Sequence, residues 1–396
     1  MNQIKKTRYL LFIFTVILFS CEKPSFKIPS GSAIVTETAP EKLNNKEIPD
    51  TRDVLRYIVK NSKKSVYLCG LYYNYDCDAE LLKLIKKKAA NGVKIQMLIS
   101  ESPSSRDQLY RADLDLQTNI DVKFFDITSY GQNPYGALHA KYVIVDERIA
   151  LLGSANFSYP ALNNNREINI LITDDKIVKK LTEIFKSDYI IAGLSSPLTN
   201  RSFFMKKDKT IFSTTNRFLL LESAPWQMDN PYIVNIEDAI TNLIYQAKDC
   251  IEAEIYLYTA AITNNPWMER ALFNALERKI KVRIIANKET FDSKDDLGLY
   301  RYPIYRDAIK RLAEKGAEVK LIDTSKLVLK ETFSTTHSKI IITDKRFCII
   351  STANWTPTSI TENREVAIFS SDPDIVNQLE KIFKTDWDFS SFFISN

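Results

Sequence analysis

"HAKYVIVDERIALLGSAN", from His139 to Asn156, returns as "HSKIIITDKRFCIISTAN", from His337 to Asn354. The chain holds two histidines, and each opens one of these stretches. Lys141 and Lys339 follow two residues on, Asp146 and Asp344 seven, and Asn156 and Asn354 seventeen. Ser154 and Thr352 precede the asparagines by two, and Glu167 and Glu365 lie twenty-eight residues beyond the histidines. On a strand, residues i and i+2 share a face, so each imidazole projects with a lysine ammonium. Each asparagine likewise shares a face with a hydroxyl. A histidine on an apolar strand is ordinarily a satisfied core residue. Two of them with matched companions, in a chain with no other histidine, point instead to one site built from two halves.

The repeat extends in both directions. "ETAP" at 37–40 meets "ESAP" at 222–225, and "KKSV" at 63–66 meets "KDCI" at 248–251, both offset by 185. "GVKIQMLIS" from Gly92 resembles "KIKVRIIAN" from Lys279, and "DVKFFD" at 121–126 resembles "EVKLID" at 318–323. At an offset of 198, "NNREI" at 164–168 meets "ENREV" at 362–366, and "IFKSDY" at 184–189 meets "IFKTDW" at 382–387. The offset grows because the second copy has longer loops, as around "NKETFDSKDDLGLYRYP". Within each copy, "VLRYIVKNSKK" and "AELLKLIKKKAANG" carry helical spacing with lysine-rich outer faces. "VKIQMLIS" and "KYVIVD" read as buried strands. Alternating strands and helices predict an α/β fold made of two tandem domains, 32–193 and 215–396, related by a pseudo-twofold and joined by a linker at 194–214.

The 396 residues are 45% apolar and 26% charged, enough for two full cores. The formal charge is +5, of which Lys5, Lys6 and Arg8 supply three. From Cys21 onward the chain is nearly neutral, so its net charge does not demand nucleic acid as a partner. The start, "MNQIKKTRYLLFIFTVILFSC", places a basic stretch before an apolar run from Tyr9 to Phe19. That run is too short to span a bilayer and reads as a signal peptide over 1–20. Its end, Leu18-Phe19-Ser20-Cys21, resembles the lipobox of bacterial lipoproteins, in which the cysteine receives the lipid. The expectation is an exported protein anchored through Cys21 to a membrane of the bacterial cell envelope, with 21–31 as a tether. The other four cysteines, Cys69, Cys77, Cys250 and Cys348, lack CxxC spacing, which argues against a zinc site. Cys69, Cys250 and Cys348 read as core residues, and a Cys69–Cys77 disulfide is compatible with export but not required.

The paired stretches resemble the two HKD motifs of the phospholipase D superfamily, and the resemblance runs from about Ser32 to the C-terminus. It implies an active site between the domains that forms a covalent phosphohistidine. A neutral imidazole attacks phosphorus, and a second, protonated one hands its proton to the departing oxygen and then activates water or an alcohol. By similarity His139 is the nucleophile and His337 the acid and base. Lys141, Lys339, Asn156 and Asn354 correspond to phosphate-holding groups, with Ser154 and Thr352 in support. Glu167 and Glu365 match the carboxylates that orient the histidines. Asp146 and Asp344 each begin a tight turn between apolar runs, which favours a structural role. Ser351-Thr352 replaces the family's usual Gly-Ser. No metal or cofactor is implied. The expected function is metal-independent hydrolysis of phospholipids by a monomer. The alternatives are a nuclease using the same mechanism, a cardiolipin synthase-like phosphatidyl transferase and a non-catalytic binding lipoprotein.

Overall fold

The computed structural model describes residues 31–393, apart from 115, 132–133, 195–211, 229, 231, 260–265 and 329–332. The expected signal peptide, Cys21, nearly all of the tether and most of the linker lie outside the described residues. The first sheet contains β1 (Ala33–Thr38), β2 (Ser65–Gly70), β3 (Lys94–Ser100), β4 (Ile120–Phe125), β5 (Tyr142–Val145), β6 (Ile149–Gly153) and β7 (Glu167–Ile172). The second contains β8 (Phe218–Ser223), β9 (Val234–Asn235), β10 (Cys250–Ile255), β11 (Lys281–Asn287), β12 (Glu318–Ile322), β13 (Lys339–Thr343), β14 (Phe347–Ser351), β15 (Glu365–Ser370) and β16 (Ser391–Phe392).

The strand orders are β1-β7-β6-β5-β2-β3-β4 and β9-β8-β15-β14-β13-β10-β11-β12-β16. Without the two-residue edge strands β9 and β16, the second order is the first repeated. The sequence repeat is therefore a repeat of topology. In each sheet β2-β3-β4, or β10-β11-β12, runs parallel and the remaining main pairs are antiparallel.

The helices are α1 (Thr51–Lys60), α2 (Ala79–Ala90), α3 (Pro103–Ala112), α4 (Tyr159–Asn163) and α5 (Asp175–Ile191) in the first half. The second has α6 (Ile236–Gln246), α7 (Trp267–Glu277), α8 (Lys288–Asp292), α9 (Pro303–Glu314), α10 (Pro357–Thr361) and α11 (Pro373–Phe389). α5 and α11 are both seventeen residues long. Asp174 and Asp372 begin them by accepting first-turn backbone N–H groups, which supplies the partners a helix start lacks.

Three apolar clusters explain the layering. One packs the outer face of the first sheet, through Val143, Val145 and Leu151, against α1 and α2. Another packs the second sheet against α6, α7 and α9. The third lies between the sheets and belongs to both halves. Tyr142 and Ile144 enter it from β5, Ile340 and Ile342 from β13, and Phe185 and Phe383 from α5 and α11. Alternation along β5 thus sends successive side chains to two cores. α5 touches β8 of the other half and α11 touches β1, where Gln378 Oε1 accepts from the Val35 N–H at 2.9 Å. The two domains fold as one body around α5 and α11.

Buried ion pairs cross the same seam. Arg166 donates to Glu37 of its own half and to Asp386 of the other, each at 2.6 Å. Arg364 pairs with Glu222 of its own half and Asp188 of the other, at 2.8 Å. Removing one partner of such a set leaves a buried charge uncompensated. All four cysteines among the described residues are free, with Cys69 and Cys77 unbridged. Cys250 is half-buried at the start of β10, more exposed than the core position expected of it.

Candidate active site

The motifs approach the seam along backbone that is bonded to the opposite half. The His139 and Ala140 N–H groups both donate to the Arg364 carbonyl, at 3.0 and 2.7 Å. Symmetrically, the His337 N–H donates to the Arg166 carbonyl at 2.9 Å. Each histidine is thereby set beside the glutamate that begins the other half's β7 or β15. His139 Nδ1 lies 2.6 Å from Glu365 Oε1, and His337 Nδ1 lies 3.0 Å from Glu167 Oε2. The spacing of twenty-eight residues within a copy could not reveal this crossing.

The carboxylates are fully buried and held from several sides. Asn363 donates to Glu365 at 3.1 Å and the Thr352 hydroxyl donates at 2.6 Å. Asn165 donates to Glu167 at 3.0 Å. Ser154 bonds to the Ile168 backbone and lowers the pKa of Glu167. Ser154 and Thr352, expected to support phosphate binding, are thus occupied with the carboxylates.

Burial holds both imidazoles below the ordinary histidine range, His139 down to about 4, against the opposing pull of the carboxylates. Burial alone would raise Glu365, but His139 and Lys141 bring it down to about 2. Glu167 is lowered in the same way by His337 and Lys339. At neutral pH the site therefore pairs uncharged rings with charged carboxylates. The ring's Nδ1–H donates, which leaves the Nε2 lone pair uncommitted. No described residue bonds to either Nε2, and the side chains of His139 and His337 are 13% and 10% exposed.

Lys141 and Lys339 are buried, and each ammonium donates to the carbonyl of the histidine two residues before it. Burial lowers both, Lys141 to about 8. Each lysine also acts on the histidine of the other half, so all four groups share one electrostatic field. The side-chain amides of Asn156 and Asn354 are buried, and their Oδ1 atoms have no partner among the described residues. Neither Nδ2 donates to a described residue, so these N–H groups are free to donate to a ligand oxygen. Two cations and two imidazoles with uncommitted Nε2 atoms share a field that would stabilise an anion.

Asp146 and Asp344 sit elsewhere. Asp146 accepts from the N–H groups of Lys63, Lys64 and Ser65, and Asp344 from those of Lys248, Asp249 and Cys250. Each stands at the far end of its strand from the histidine, roughly 20 Å away at about 3.3 Å per residue. Asp146-Glu147 and Asp344-Lys345 take positive φ, between 52° and 56°, as a tight hairpin turn requires.

The departure at Ser351 is compensated nearby. Gly153 has φ +156°, and a Cβ there would meet Ile168 O at 2.4 Å and Asn169 Oδ1 at 2.5 Å. Asn169 needs that space to accept from the Ala155 N–H at 3.1 Å. In the second half Ala367 replaces the asparagine, and the Ser351 hydroxyl accepts from the Ala353 N–H at 2.9 Å. The two copies reach one turn geometry with exchanged side chains.

Sequence reasoning missed several neighbours. Tyr256 packs edge-on against His337, with ring centroids 4.7 Å apart, and Lys339 lies over its face at 5.0 Å. Among the aromatics near the motifs, Tyr130 and Trp355 are core, whereas Tyr135, Tyr159 and Phe333 are exposed. The Arg166 and Arg364 networks were also missed, although their members stand in the repeated segments ETAP/ESAP, NNREI/ENREV and IFKSDY/IFKTDW.

The chain is 23% identical over 384 residues to the virion nicking-joining enzyme of vaccinia virus (strain Western Reserve), covering 90% of this chain and 87% of the relative. It is 22% identical over 421 residues to phospholipase D Z of Dictyostelium discoideum, covering 95% and 96%. A cardiolipin synthase of Listeria welshimeri is 30% identical over 156 residues, which is 38% of this chain and 30% of that one. The fold matches a phosphatidylserine synthase of Haemophilus influenzae with a TM-score of 0.68 at 14% identity, over 91% of this chain and 87% of that one. Residues 55–189 and 240–387 match the family described as cardiolipin synthase, PLD-like domain, and the chain belongs to that phospholipase D-like family.

Proposed function

We propose that the protein is a phosphodiesterase that works through a phosphohistidine on His139, and that its substrate is a phospholipid. The observation that carries the phosphohistidine chemistry is the crossed pair of histidines, each held through Nδ1 by the other half's buried carboxylate. His139 is kept neutral to about pH 4, which suits a nucleophile. Its Nε2 lone pair attacks phosphorus while the bond to the leaving oxygen breaks. His337 supplies the proton that oxygen takes up. The anionic phosphodiester offsets Lys141 and Lys339, whose charges disfavour a protonated His337, and Glu167 stabilises the imidazolium. His337, now neutral, takes a proton from water as the water oxygen attacks phosphorus and the N–P bond breaks. Lys141, Lys339, Asn156 and Asn354 hold the non-bridging oxygens, and Ser154 and Thr352 hold the carboxylates.

The long match to the vaccinia nicking-joining enzyme favours nucleic acid as a second reading. The match to the Listeria cardiolipin synthase favours an alcohol in place of water at the second step. The test uses the chain from Glu22 with no added metal, offered mixed phospholipids with and without glycerol, and separately DNA and RNA, beside His139→Ala. Headgroup release that the variant loses supports the phospholipase. Headgroup exchange for glycerol supports the transferase, and nucleic-acid cleavage lost in the variant supports the nuclease. Full activity in His139→Ala would overturn the mechanism.

The lipobox-like ending at Cys21 motivates an export and lipid-anchoring proposal. Palmitate labelling of the full chain, lost in Cys21→Ala, is the expected result. One chain supplies both halves of the site, so the active form is taken to be a monomer. Activity that elutes only with a larger species would refute this.

A further inference from the structure

The two halves differ most where the second copy carries its longest insertion. In the first half two residues separate β3 from α3, whereas in the second fifteen separate β11 from α9. The insertion leaves the carboxyl end of a parallel strand, the side on which open α/β sheets place their ligands. Its near root is tied to the active site, since Asn287 Nδ2 donates at 2.9 Å to the carbonyl of Thr336, the residue before His337. Burial first, and then Tyr302 at the insertion's far root, raise the pKa of Tyr256, the ring that packs against His337.

The insertion is ordered, and its tip is apolar. The Asp295 carboxylate accepts from the Leu297 and Leu299 N–H groups at 3.0 and 2.9 Å, and the Asp295 N–H donates to Leu299 O at 2.8 Å. Arg306 clamps the base, lying 3.9 Å from the Tyr300 ring centroid and 4.2 Å from that of Phe291. From this frame Leu297 and Leu299 project 84% and 63% exposed, with Tyr300, Tyr302 and Ile304 also exposed. Five large apolar side chains stand exposed within eight positions, a density unlike that of singly scattered surface residues. Lys294 and Arg301 stand against Asp295 and Asp296, so the tip carries no net charge.

We propose that this insertion is an interfacial anchor: Leu297 and Leu299 enter the surface of a lipid bilayer and seat the active site against it. The exposed segment is neutral, with two tyrosines following the leucines, which suits a deformable interface with an apolar interior and polar edge. A surface that tracked nucleic acid would need a basic excess instead. The inference rests on the phospholipid reading and names how that substrate is reached.

The test is flotation of the chain from Glu22, which retains every described element, with phosphatidylcholine vesicles at low and high salt. Leu297→Ser/Leu299→Ser is compared with the wild type. Both are also assayed for hydrolysis of bis(p-nitrophenyl) phosphate, which reports the catalytic centre without an interface. The expected result is salt-insensitive vesicle binding that falls roughly tenfold for each leucine replaced. Hydrolysis of the soluble ester should be unchanged. Vesicle binding equal in variant and wild type, or absent from both, overturns the proposal. A wild-type dimer that the variant dissolves, without vesicle binding, overturns it in favour of a second copy of this chain. Leucine-dependent binding without headgroup release keeps the anchor and removes the phospholipase. Headgroup release that the variant retains in full does the reverse.

Discussion

Glu365→Gln preserves the shape of the carboxyl but removes its charge, and the crossed site makes the consequence calculable. Attack by His139 turns its ring into a positively charged N-phosphoryl imidazolium. Glu365 Oε1 lies 2.6 Å from Nδ1, so the centres of the two charges are about 4 Å apart. At an effective dielectric of about 20 this pair is worth about 4 kcal/mol. Losing that stabilisation should slow phosphoenzyme formation by about a thousandfold. Asn363 and Thr352 can still hold the amide, so the fold should survive. Rapid quench with a labelled diester reads the first step directly. Because the chain has two histidines, a nitrogen-correlated spectrum of the imidazoles contains two rings, assigned with His139→Ala. Glu365→Gln should move the Nδ1–H signal of His139 and leave that of His337 in place. A shift confined to His337 would refute the crossing. A loss of less than tenfold in the first step would refute the electrostatic argument.

Acid should destabilise the protein in two stages. The unfolded His139 ring takes up a proton near pH 6.5, whereas the folded ring does so only near 4, so stability falls as pH drops through that window, by about 3 kcal/mol. Glu365 is lowered to about 2, so its contribution, present above about 4.5, is lost between 4.5 and 2. Urea midpoints against pH should show both stages, with the first reduced in His139→Gln; an unchanged first stage would refute the assignment. Gly153→Ser should overpack the turn and lower stability by about 1–3 kcal/mol, and adding Asn169→Ala should restore most of it. Melting temperatures that fail to recover in the double variant would reject the exchange seen between the two copies. Asp146→Ala should cost about 1–3 kcal/mol by orphaning backbone donors while changing turnover by less than twofold. A large loss of turnover in the folded variant would mean that the aspartate acts in catalysis. Arg364→Met leaves Asp188 and Glu222 buried without their cation and should cost about 3–5 kcal/mol, read by urea denaturation. A loss under 1 kcal/mol would show that the network does not hold the halves together.

The sequence disclosed the repeat because the constraints acting on it are local. Strand alternation, the His-x-Lys face and the Asp-led turns each depend on neighbours within a few residues, and the matched topology of the two sheets follows. The site residues were legible for the same reason, since each lies within three residues of a strand end, at matched spacings in the two copies. The pairing of Glu365 with His139 was not legible. It depends on the Arg364 carbonyl accepting from His139, a contact between halves that no spacing within a copy encodes. The buried arginine networks were visible only as letters that recur. Glu37 and Glu222, Arg166 and Arg364, and Asp188 and Asp386 all stand in segments that mark the repeat. A charge in a repeated segment is ordinarily a solvated surface charge, and burial alone distinguishes these. The insertion after β11 was visible as a longer loop, but its exposed leucines gain meaning only once its root at Asn287 is seen to be bonded to Thr336, beside His337.

Arg166 and Glu167 are neighbours in sequence, and both reach into the second half. Arg166 pairs with Asp386, its carbonyl accepts the His337 N–H, and Glu167 holds the His337 ring. Arg364 and Glu365 do the same in reverse. The contacts that join the halves and those that set the imidazoles are therefore made by adjacent residues at the start of the same two strands. A small shift of one sheet against the other would move each histidine relative to its carboxylate. Hydrogen bonds lose strength steeply with misalignment, and catalysis loses more still. The buried charges are an expensive way to stabilise a seam that the shared apolar core already closes. Their position accounts for them better: they fix the register of the two sheets at the place where an error of an ångström would separate each histidine from its carboxylate.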